Sequence, residues 1–249
     1  KDANGRNYGV QWTLFRSASM PQDAGSVVNP WHDPQIFMAH FAISTPEIHH
    51  AFQRYARGGE HRGLAQAGAQ AEPFMAWLDD WSLQSIGPDW LPLSLKASEG
   101  AWSASLNLSS EHPPVLQGQK GFSQKHPKGG GSHYYSQPFL SAKGKLNIDG
   151  EEVRVQGKAW LDREWSSQFL QPDQQGWDWF ALHLDSGEKL MVFRLRALDG
   201  ETGGEYIHGV LISPDGQKRP LDSGGLELEV LGTERIAGRE LPLQWRISI

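Results

Sequence analysis

Apolar and polar residues alternate along most of the chain in short runs, a pattern typical of β-strands that bury one face. Turn-forming residues separate these runs, and no long helical pattern lies between them. We predict strands over residues 7–16, 36–43, 74–85, 91–97, 101–108, 134–142, 143–148, 152–165, 177–184, 189–197, 205–212, 226–231 and 243–249.

Turns and loops are predicted where Gly, Asp, Asn, Ser and Pro cluster. Tight turns are expected at 149–150 and 199–200, longer turns at 185–187 and 214–216, and loops at 58–70 and 123–132. Residues 45–57 fit either a helix that begins at Thr45 and Pro46 or a strand over 48–57. We favour the strand because the neighbouring segments are β.

Strands without long helices predict antiparallel barrels or sandwiches, because parallel strands need long crossover connections. Residues 170–176 interrupt two strand runs and mark a candidate boundary between domains at 1–170 and 171–249. The chain opens on a turn-like segment and closes on a strand-like one. We therefore expect both ends to be truncated, with any targeting segment missing.

Composition excludes several classes of protein and of site. The 249 residues carry a net charge of −6, and their Lys and Arg residues are scattered, so a nucleic-acid partner is not expected. The chain has no cysteine, which excludes disulfides, thiolate metal sites and a Cys nucleophile. No apolar run approaches the roughly 20 residues that a transmembrane helix needs.

Eleven tryptophans are the most unusual feature of the composition. Their large apolar bodies fit a protein core, or the wall of a ligand cavity inside a β-barrel, and the two interpretations are compatible. We expect the exposed ones to be Trp31 and Trp90, which lie in Pro-containing loops. The predicted core or cavity tryptophans are Trp12, Trp77, Trp81, Trp102, Trp160, Trp177 and Trp179.

The strand over 152–165 carries the most promising chemistry. Trp160, Asp162 and Glu164 are spaced by two residues and share one face of a strand. A carboxyl group beside Trp in an apolar cavity has a raised pKa, stays protonated and donates a proton, while the second carboxylate would activate water. Simple alternation gives the opposite prediction, that Asp162 faces solvent, unless a bulge at Gly157 changes the register.

Other constellations favour binding over chemistry. Trp77 and Trp81 flank two aspartates that form either a binding lip or a solvated turn. With Trp177 and Trp179 they are the candidate ligand-binding residues. The histidines lack metal-ligand spacing and no nucleophile-elbow motif is present, so we expect no metal, no cofactor and no Ser-His-Asp triad.

Several segments together resemble the AttH and carotenoid 1,2-hydratase family. They are GVQWTLFR at 9–16, AHFAI at 39–43, AWLDDW at 76–81, YYS at 134–136, AWLDREWS at 159–166 and GWDWF at 176–180. The resemblance implies an all-β fold of two lipocalin-like β-barrels, the second incomplete in this chain. It also implies a secreted or periplasmic bacterial protein related to hydrolases.

The resemblance further implies a set of site residues. In the carotenoid hydratases a His-x-Trp pair and a Tyr-x-Asp pair line the cavity, and the Asp is the proposed acid. By motif and spacing His133 and Tyr135 match the first pair, and Trp160 and Asp162 match the second, with the two aromatic types exchanged. We therefore expect Asp162, His133, Tyr135 and Trp160 to share a pocket, with Glu164 beside them.

Three functions follow from these observations. The first is a binding module that holds a hydrophobic, lipid- or isoprenoid-like small molecule in an aromatic-lined cavity. The second is an enzyme of the hydratase, isomerase or hydrolase type with Asp162 as general acid. The third is a structural or surface-attachment protein with filled barrels. The surroundings of Asp162 distinguish them.

Overall fold

Eighteen strands and no helix make up the part of the chain that the structure describes, which confirms the all-β prediction. The computed structural model describes residues 1–18, 35–58, 66–167, 170–198, 203–221 and 224–249. The strands are β1 Gly9–Ala18, β2 Gln35–Ser44, β3 His49–Arg57, β4 Ala67–Gln70, β5 Met75–Leu78, β6 Trp81–Ser85, β7 Leu93–Glu99, β8 Trp102–Ser109, β9 Val115–Leu116, β10 Phe122–Gln124, β11 Gly131–Ile148, β12 Glu151–Trp165, β13 Gln174–His183, β14 Lys189–Ala197, β15 Tyr206–Ile212, β16 Lys218–Leu221, β17 Glu227–Ile236 and β18 Arg239–Ser248. Because the described residues form no helix, none of them forms a helix that could cross a membrane.

The first of two compact units comprises Lys1–Glu111 and Phe139–Ala159. It contains an antiparallel sheet in the order β1-β2-β3 and a run of antiparallel strands from β4 to β8, with β8 paired to the second half of β11. In its core the rings of Phe41 and Trp81 meet edge to face with centroids 5.6 Å apart. Both side chains are fully buried.

The second unit comprises His112–Pro138 and Trp160–Ile249. Strands β9 and β10 pair with the first half of β11, and β13 to β16 form a separate antiparallel sheet. One face of that sheet packs on the β17–β18 hairpin through an apolar cluster of Leu190, Val192, Leu211, Leu221, Leu226 and Leu228. The candidate site lies in this unit.

The two longest strands each contribute to both units. Residues 131–138 of β11 and 160–165 of β12 belong to the second unit, and their other halves belong to the first. The predicted break at 142–143 is wrong, because β11 pairs with β8 without interruption from Ser141 to Asn147. Gly144 permits this approach, since a Cβ atom there would lie 2.0 Å from the Ser105 carbonyl oxygen.

The structure corrects the single strand predicted over 74–85. The chain there forms a hairpin of β5 and β6, and Asp79 adopts a positive φ of 52° in the turn between them. Asp is among the few residue types other than Gly that enter this region readily. Asp79 and Asp80 therefore lie in a turn, as one of the two interpretations of this segment predicted.

Most of the other local predictions hold. Residues 49–57 form β3, as favoured over the helix, and Asp149 and Gly150 form the predicted turn with φ angles of 54° and 88°. Strands β4, β9, β10 and β16 were missed, because two to four residues carry too little alternation to be recognised. The predictions for Trp31 and for the turn at 199–200 lie outside the described residues.

Candidate functional site

The exposed face of β12 changes character along the strand. Arg154, Gln156 and Lys158 are exposed, whereas Trp160 and Asp162, which alternation places on the same face, are half-buried. The prediction that alternation leaves Asp162 in open solvent is wrong. Asp162 is half-buried because the surroundings of β12 change along the strand: residues 160–165 belong to the second unit.

Asp162 is held by two hydroxyl groups of the neighbouring strand. Tyr134 Oη donates to Asp162 Oδ1 at 2.8 Å, and Ser136 Oγ donates to the same oxygen at 2.5 Å. Both donors are buried residues of β11. Ser136 Oγ in turn accepts a hydrogen bond of 2.8 Å from Nε2 of Gln117, so two buried polar side chains lead to the carboxyl group of Asp162.

The surroundings of Asp162 favour its protonated form. Burial raises the pKa of Asp162, because the charged carboxylate loses its hydration there, and the negative charge of Glu164 acts in the same direction. The hydrogen bonds from Ser136 and Tyr134 oppose this rise. The indole N–H of Trp160 also favours the carboxylate electrostatically, although Nε1 lies outside hydrogen-bond geometry and is buried.

Glu164 makes an ion pair next to this carboxyl group. Glu164 Oε1 accepts from Ser132 Oγ at 2.5 Å and lies 2.9 Å from Lys125 Nζ. The ammonium group also lies 3.9 Å from the ring centroid of Phe193 and 5.1 Å from that of Tyr134. Burial lowers the pKa of Lys125, and the charge of Glu164 opposes that change.

A tight hairpin turn positions Lys125. Lys125 follows β10, and its backbone N–H donates to the Gly130 carbonyl at 2.9 Å. Gly129 and Gly130 have positive φ angles of 102° and 85°. At Gly131 a Cβ atom would lie 2.2 Å from the Ser123 carbonyl oxygen. The glycine run predicted as a loop is therefore the turn that joins β10 to β11.

Trp179 joins the cluster from β13. Its Nε1 donates to Tyr134 Oη at 3.3 Å, so the tyrosine hydroxyl accepts from Trp179 while it donates to Asp162. Burial and the charge of Asp162 both raise the pKa of Tyr134, which keeps the phenol protonated and able to donate. Among the predicted ligand-binding tryptophans, Trp179 is therefore linked to Asp162 through the hydroxyl group of Tyr134.

Two predicted partners of Asp162 lie on the other face of β11. His133 stacks on Trp165 with ring centroids 5.6 Å apart, and Tyr135 Oη accepts from Arg163 Nη1 at 3.2 Å. Side chains alternate across a strand, so residues 133 and 135 point away from the face that carries residues 134 and 136. The expectation that Asp162 lies with His133 and Tyr135 is therefore corrected, because its hydrogen bonds come from Tyr134 and Ser136.

The family of the chain follows from its match over residues 1–249 to the model of the AttH-like family. The chain belongs to the AttH-like family. It is 31% identical to a candidate AttH from Nitrosomonas europaea, with a TM-score of 0.84 over 99% of this chain and 73% of that one. No match was found among curated proteins.

A second solved structure shares the fold of this AttH-like chain. Kievitone hydratase from Nectria haematococca aligns with a TM-score of 0.69 at 18% identity, over 99% of this chain and 69% of that one. At this identity the likeness concerns the fold.

The candidate tryptophans of the AttH-like chain differ in burial and in the unit to which they belong. Trp81 is fully buried and donates to the Ser98 carbonyl at 2.7 Å, which makes it a core residue of the first unit. Trp77 is half-buried and covers Gly68 in the same unit. Trp177 is 60% exposed and Trp179 43% exposed, so the prediction that both are buried is wrong.

Sequence reasoning missed the polar residues that contact the two carboxylates. They are Lys125, Ser132, Tyr134 and Ser136, and Gln117 donates to Ser136 behind them. The identical parity of Ser132, Tyr134 and Ser136 on one strand was the available signal, since it places three hydroxyl groups on one face. Which strand lies opposite that face depends on pairing between distant segments, and the spacing of motifs does not specify it.

Proposed function

We propose that this AttH-like chain is a hydratase that adds water to a carbon–carbon double bond of an apolar small molecule, with Asp162 as general acid. The observation that carries the proposal is a half-buried carboxyl group held by two hydroxyl donors in surroundings that raise its pKa. A carboxyl group whose pKa is raised is more readily protonated, which suits it to donate a proton to an alkene.

The geometry supports a simple order of events. Tyr134 and Ser136 both donate to Oδ1, which leaves Oδ2 to carry the transferable proton. The π bond of the alkene takes this proton to form a C–H bond, and the resulting carboxylate is stabilised by the two hydroxyl groups. Water then adds to the adjacent cationic carbon and returns one proton to Asp162, so the sum is the addition of one water molecule.

The fold comparison supports the reaction class. The name of kievitone hydratase assigns a hydration to a protein of the same fold, and a fold hosts related chemistry only where the site residues support it. Here the Asp162 cluster provides that support.

We further propose that the sheets are parts of two lipocalin-like barrels divided near residue 170, and that the protein is secreted or periplasmic.

Asp162→Asn is the decisive variant because it preserves shape and removes the acid. We expect purified protein incubated with kievitone or geraniol to yield a product heavier by one water in mass spectrometry. The variant should lose about 10²–10⁴-fold of that rate, the usual contribution of general acid catalysis. Asp185→Asn, in an exposed turn, is the control and should keep full activity.

A binding module without catalysis is the second candidate, favoured by the exposure of Trp177 and Trp179. It predicts quenching of tryptophan fluorescence by the same two compounds, without turnover, in both the wild type and Asp162→Asn. Binding without a hydrated product would replace the hydratase proposal with this one.

A further inference from the structure

The strands that carry the Asp162 cluster have a second surface on their opposite face. Side chains alternate across a strand, so the neighbours of the cluster residues in β11 and β12 point to the other side of the sheet. Strands β9 and β10 extend this face, because both pair with the first half of β11. We call this surface the outer patch, and its residues are Leu116, Phe122, His133, Tyr135, Arg163 and Trp165, all in the second unit.

The side chains of the outer patch contact one another across the strands. The ring of His133 meets that of Phe122 edge to face at 6.1 Å and stacks on Trp165 at 5.6 Å. Tyr135 meets Trp165 edge to face at 6.3 Å and accepts a hydrogen bond from Arg163. Rings that cover one another in this way form a continuous apolar surface, but they do not form the row of open ring faces on which sugars stack.

The apolar part of the outer patch faces solvent. Leu116 is 49% exposed, Phe122 45% and Trp165 53%. A Cβ atom at Gly121 would lie 3.8 Å from Leu116 Cδ2, so the leucine covers the turn that leads to Phe122. Contiguous exposed apolar surface of this kind marks sites of interaction with proteins, ligands or membranes. Tryptophan is enriched where lipid meets water, because its ring is apolar and its N–H is polar.

Positive charge accompanies the outer patch. Residues 112–138 contain three lysines and no Asp or Glu, although the whole chain has a net charge of −6. Lys120 is exposed in the turn between β9 and β10. Lys218 Nζ donates to two backbone carbonyls, one in β9 and one in the turn after it, at 2.6 and 2.9 Å. With Arg163, these cations place positive charge beside exposed apolar side chains, which is the combination that binds anionic lipid surfaces.

We propose that the outer patch docks the protein on an anionic lipid bilayer. Its three exposed apolar side chains enter the interfacial region, and Lys120 and Lys218 lie near the lipid headgroups. A bilayer matches both properties of the surface, because it accepts apolar side chains and attracts cations. The proposal rests on the proposed function in one respect: an apolar substrate dissolves in a bilayer, and docking through this face leaves the Asp162 face of the same strands uncovered.

The first test is cosedimentation of the full chain with vesicles of phosphatidylcholine, alone or mixed with phosphatidylglycerol. We expect tighter binding to the mixed vesicles and weaker binding at high salt. The double variant Phe122→Ala, Trp165→Ala should lower the affinity at least ~10-fold, because two apolar anchors are lost. The matched control is Tyr55→Ala, Ile86→Ala, which removes two exposed apolar side chains of the first unit and should bind like the wild type.

The contribution of charge is tested with single lysine variants. Lys120→Gln should lower the affinity for the mixed vesicles about 5-fold, the contribution expected of one cation near an anionic surface, and should leave binding to phosphatidylcholine unchanged. Lys143→Gln, at an exposed position of the first unit, is the control and should bind both kinds of vesicle like the wild type.

Mixed vesicles that contain brominated phosphatidylcholine identify the side chain that enters the lipid, because bromine quenches nearby indoles. Trp165→Phe should remove most of this quenching, whereas Trp177→Phe, which replaces another exposed indole of the second unit, should retain it. Absence of binding to mixed vesicles, or binding unaffected by the outer-patch substitutions, would overturn the proposal. So would a dimer in ultracentrifugation that Trp165→Ala dissociates, since the patch would then bind a second copy. These measurements need no substrate, so failure of the hydration assay would leave their results intact.

Discussion

At the scale of the residue, Asp162 shows how neighbours determine the state of one carboxyl group. Its own strand supplies Glu164, which disfavours ionisation, and the adjacent strand supplies Tyr134 and Ser136, which favour it. Burial outweighs the two hydroxyl groups, because the net result is a raised pKa. The same residue type at position 173 is in the opposite situation, since hydrogen bonding to His126 lowers the pKa of Asp173.

We predict that Asp162→Asn gains stability relative to the wild type as pH rises. A raised folded pKa means that Asp162 stabilises the fold fully below its unfolded value of 3.8, and that this contribution is lost as pH rises through the folded pKa. The neutral Asn has no such loss. Urea unfolding of both proteins at about pH 4 and about pH 8 measures the difference.

Asp173→Asn provides a comparison of opposite sign. A lowered folded pKa stabilises the protein above 3.8 and is lost as pH falls, so this variant should be destabilised more at neutral pH than at acidic pH. If the effects of the two substitutions on stability changed with pH in the same direction, the opposite pKa shifts of Asp162 and Asp173 would be contradicted.

At the scale of the element, one arginine of β3 joins three segments of the first unit. The Arg54 guanidinium group pairs with Asp80 in the turn before β6, and with Glu99 at the end of β7 at 2.8 Å. It also lies over the ring of Trp81 at 4.4 Å and donates to the Ser98 carbonyl at 3.1 Å. The planar fork of arginine suits such multiple contacts better than the ammonium group of lysine.

We predict that Arg54→Met destabilises the chain by about 1–3 kcal/mol, because it removes charge-assisted hydrogen bonds and a cation–π contact and leaves three acids without their cation. Arg246→Met is the control. It removes a pair with Glu229 on the exposed β17–β18 hairpin and should cost about 0–1 kcal/mol. Equal losses in urea unfolding of the two variants would show that the Arg54 contacts contribute no more than a surface pair.

At the scale of the whole molecule, the ten described tryptophans range from fully buried to exposed, and six of them are half-buried. Trp81 is fully buried in the first unit, whereas Trp165, Trp177 and Trp179 are between 43% and 60% exposed in the second. Trp177 and Trp179 are exposed because they lie on one face of β13, whereas Phe180 and Leu182 on the other face pack on the apolar cluster. The aromatic content thus serves both a core and an accessible surface.

We predict that acrylamide quenches only part of the tryptophan fluorescence of the native protein. The double variant Trp177→Phe, Trp179→Phe should lose quenchable emission, because it removes two exposed indoles. Trp81→Phe should lose shielded emission instead and leave the quenchable part in place. Complete quenching of the native protein at low acrylamide, or identical curves for the two variants, would contradict this distribution.

Much of the fold was predictable from local pattern. Alternation in the segments over 36–43 and 189–197 predicts strands that the structure contains as β2 and β14. The turn at Asp149 and Gly150 was predictable because few residue types accept a positive φ angle. Short strands such as β9 and β10 were not, because pairing with β11 forms them and their own alternation does not.

The candidate site was predictable only in part, and the reason is physical. The shared face of Trp160, Asp162 and Glu164 follows from sequence alone, because side chains alternate along a single strand. Tertiary structure brings Tyr134 and Ser136 to Asp162, turns His133 and Tyr135 away, and pairs Lys125 with Glu164. Register between distant strands depends on packing across the whole unit, and a shift of one residue exchanges every side chain between the two faces of a sheet.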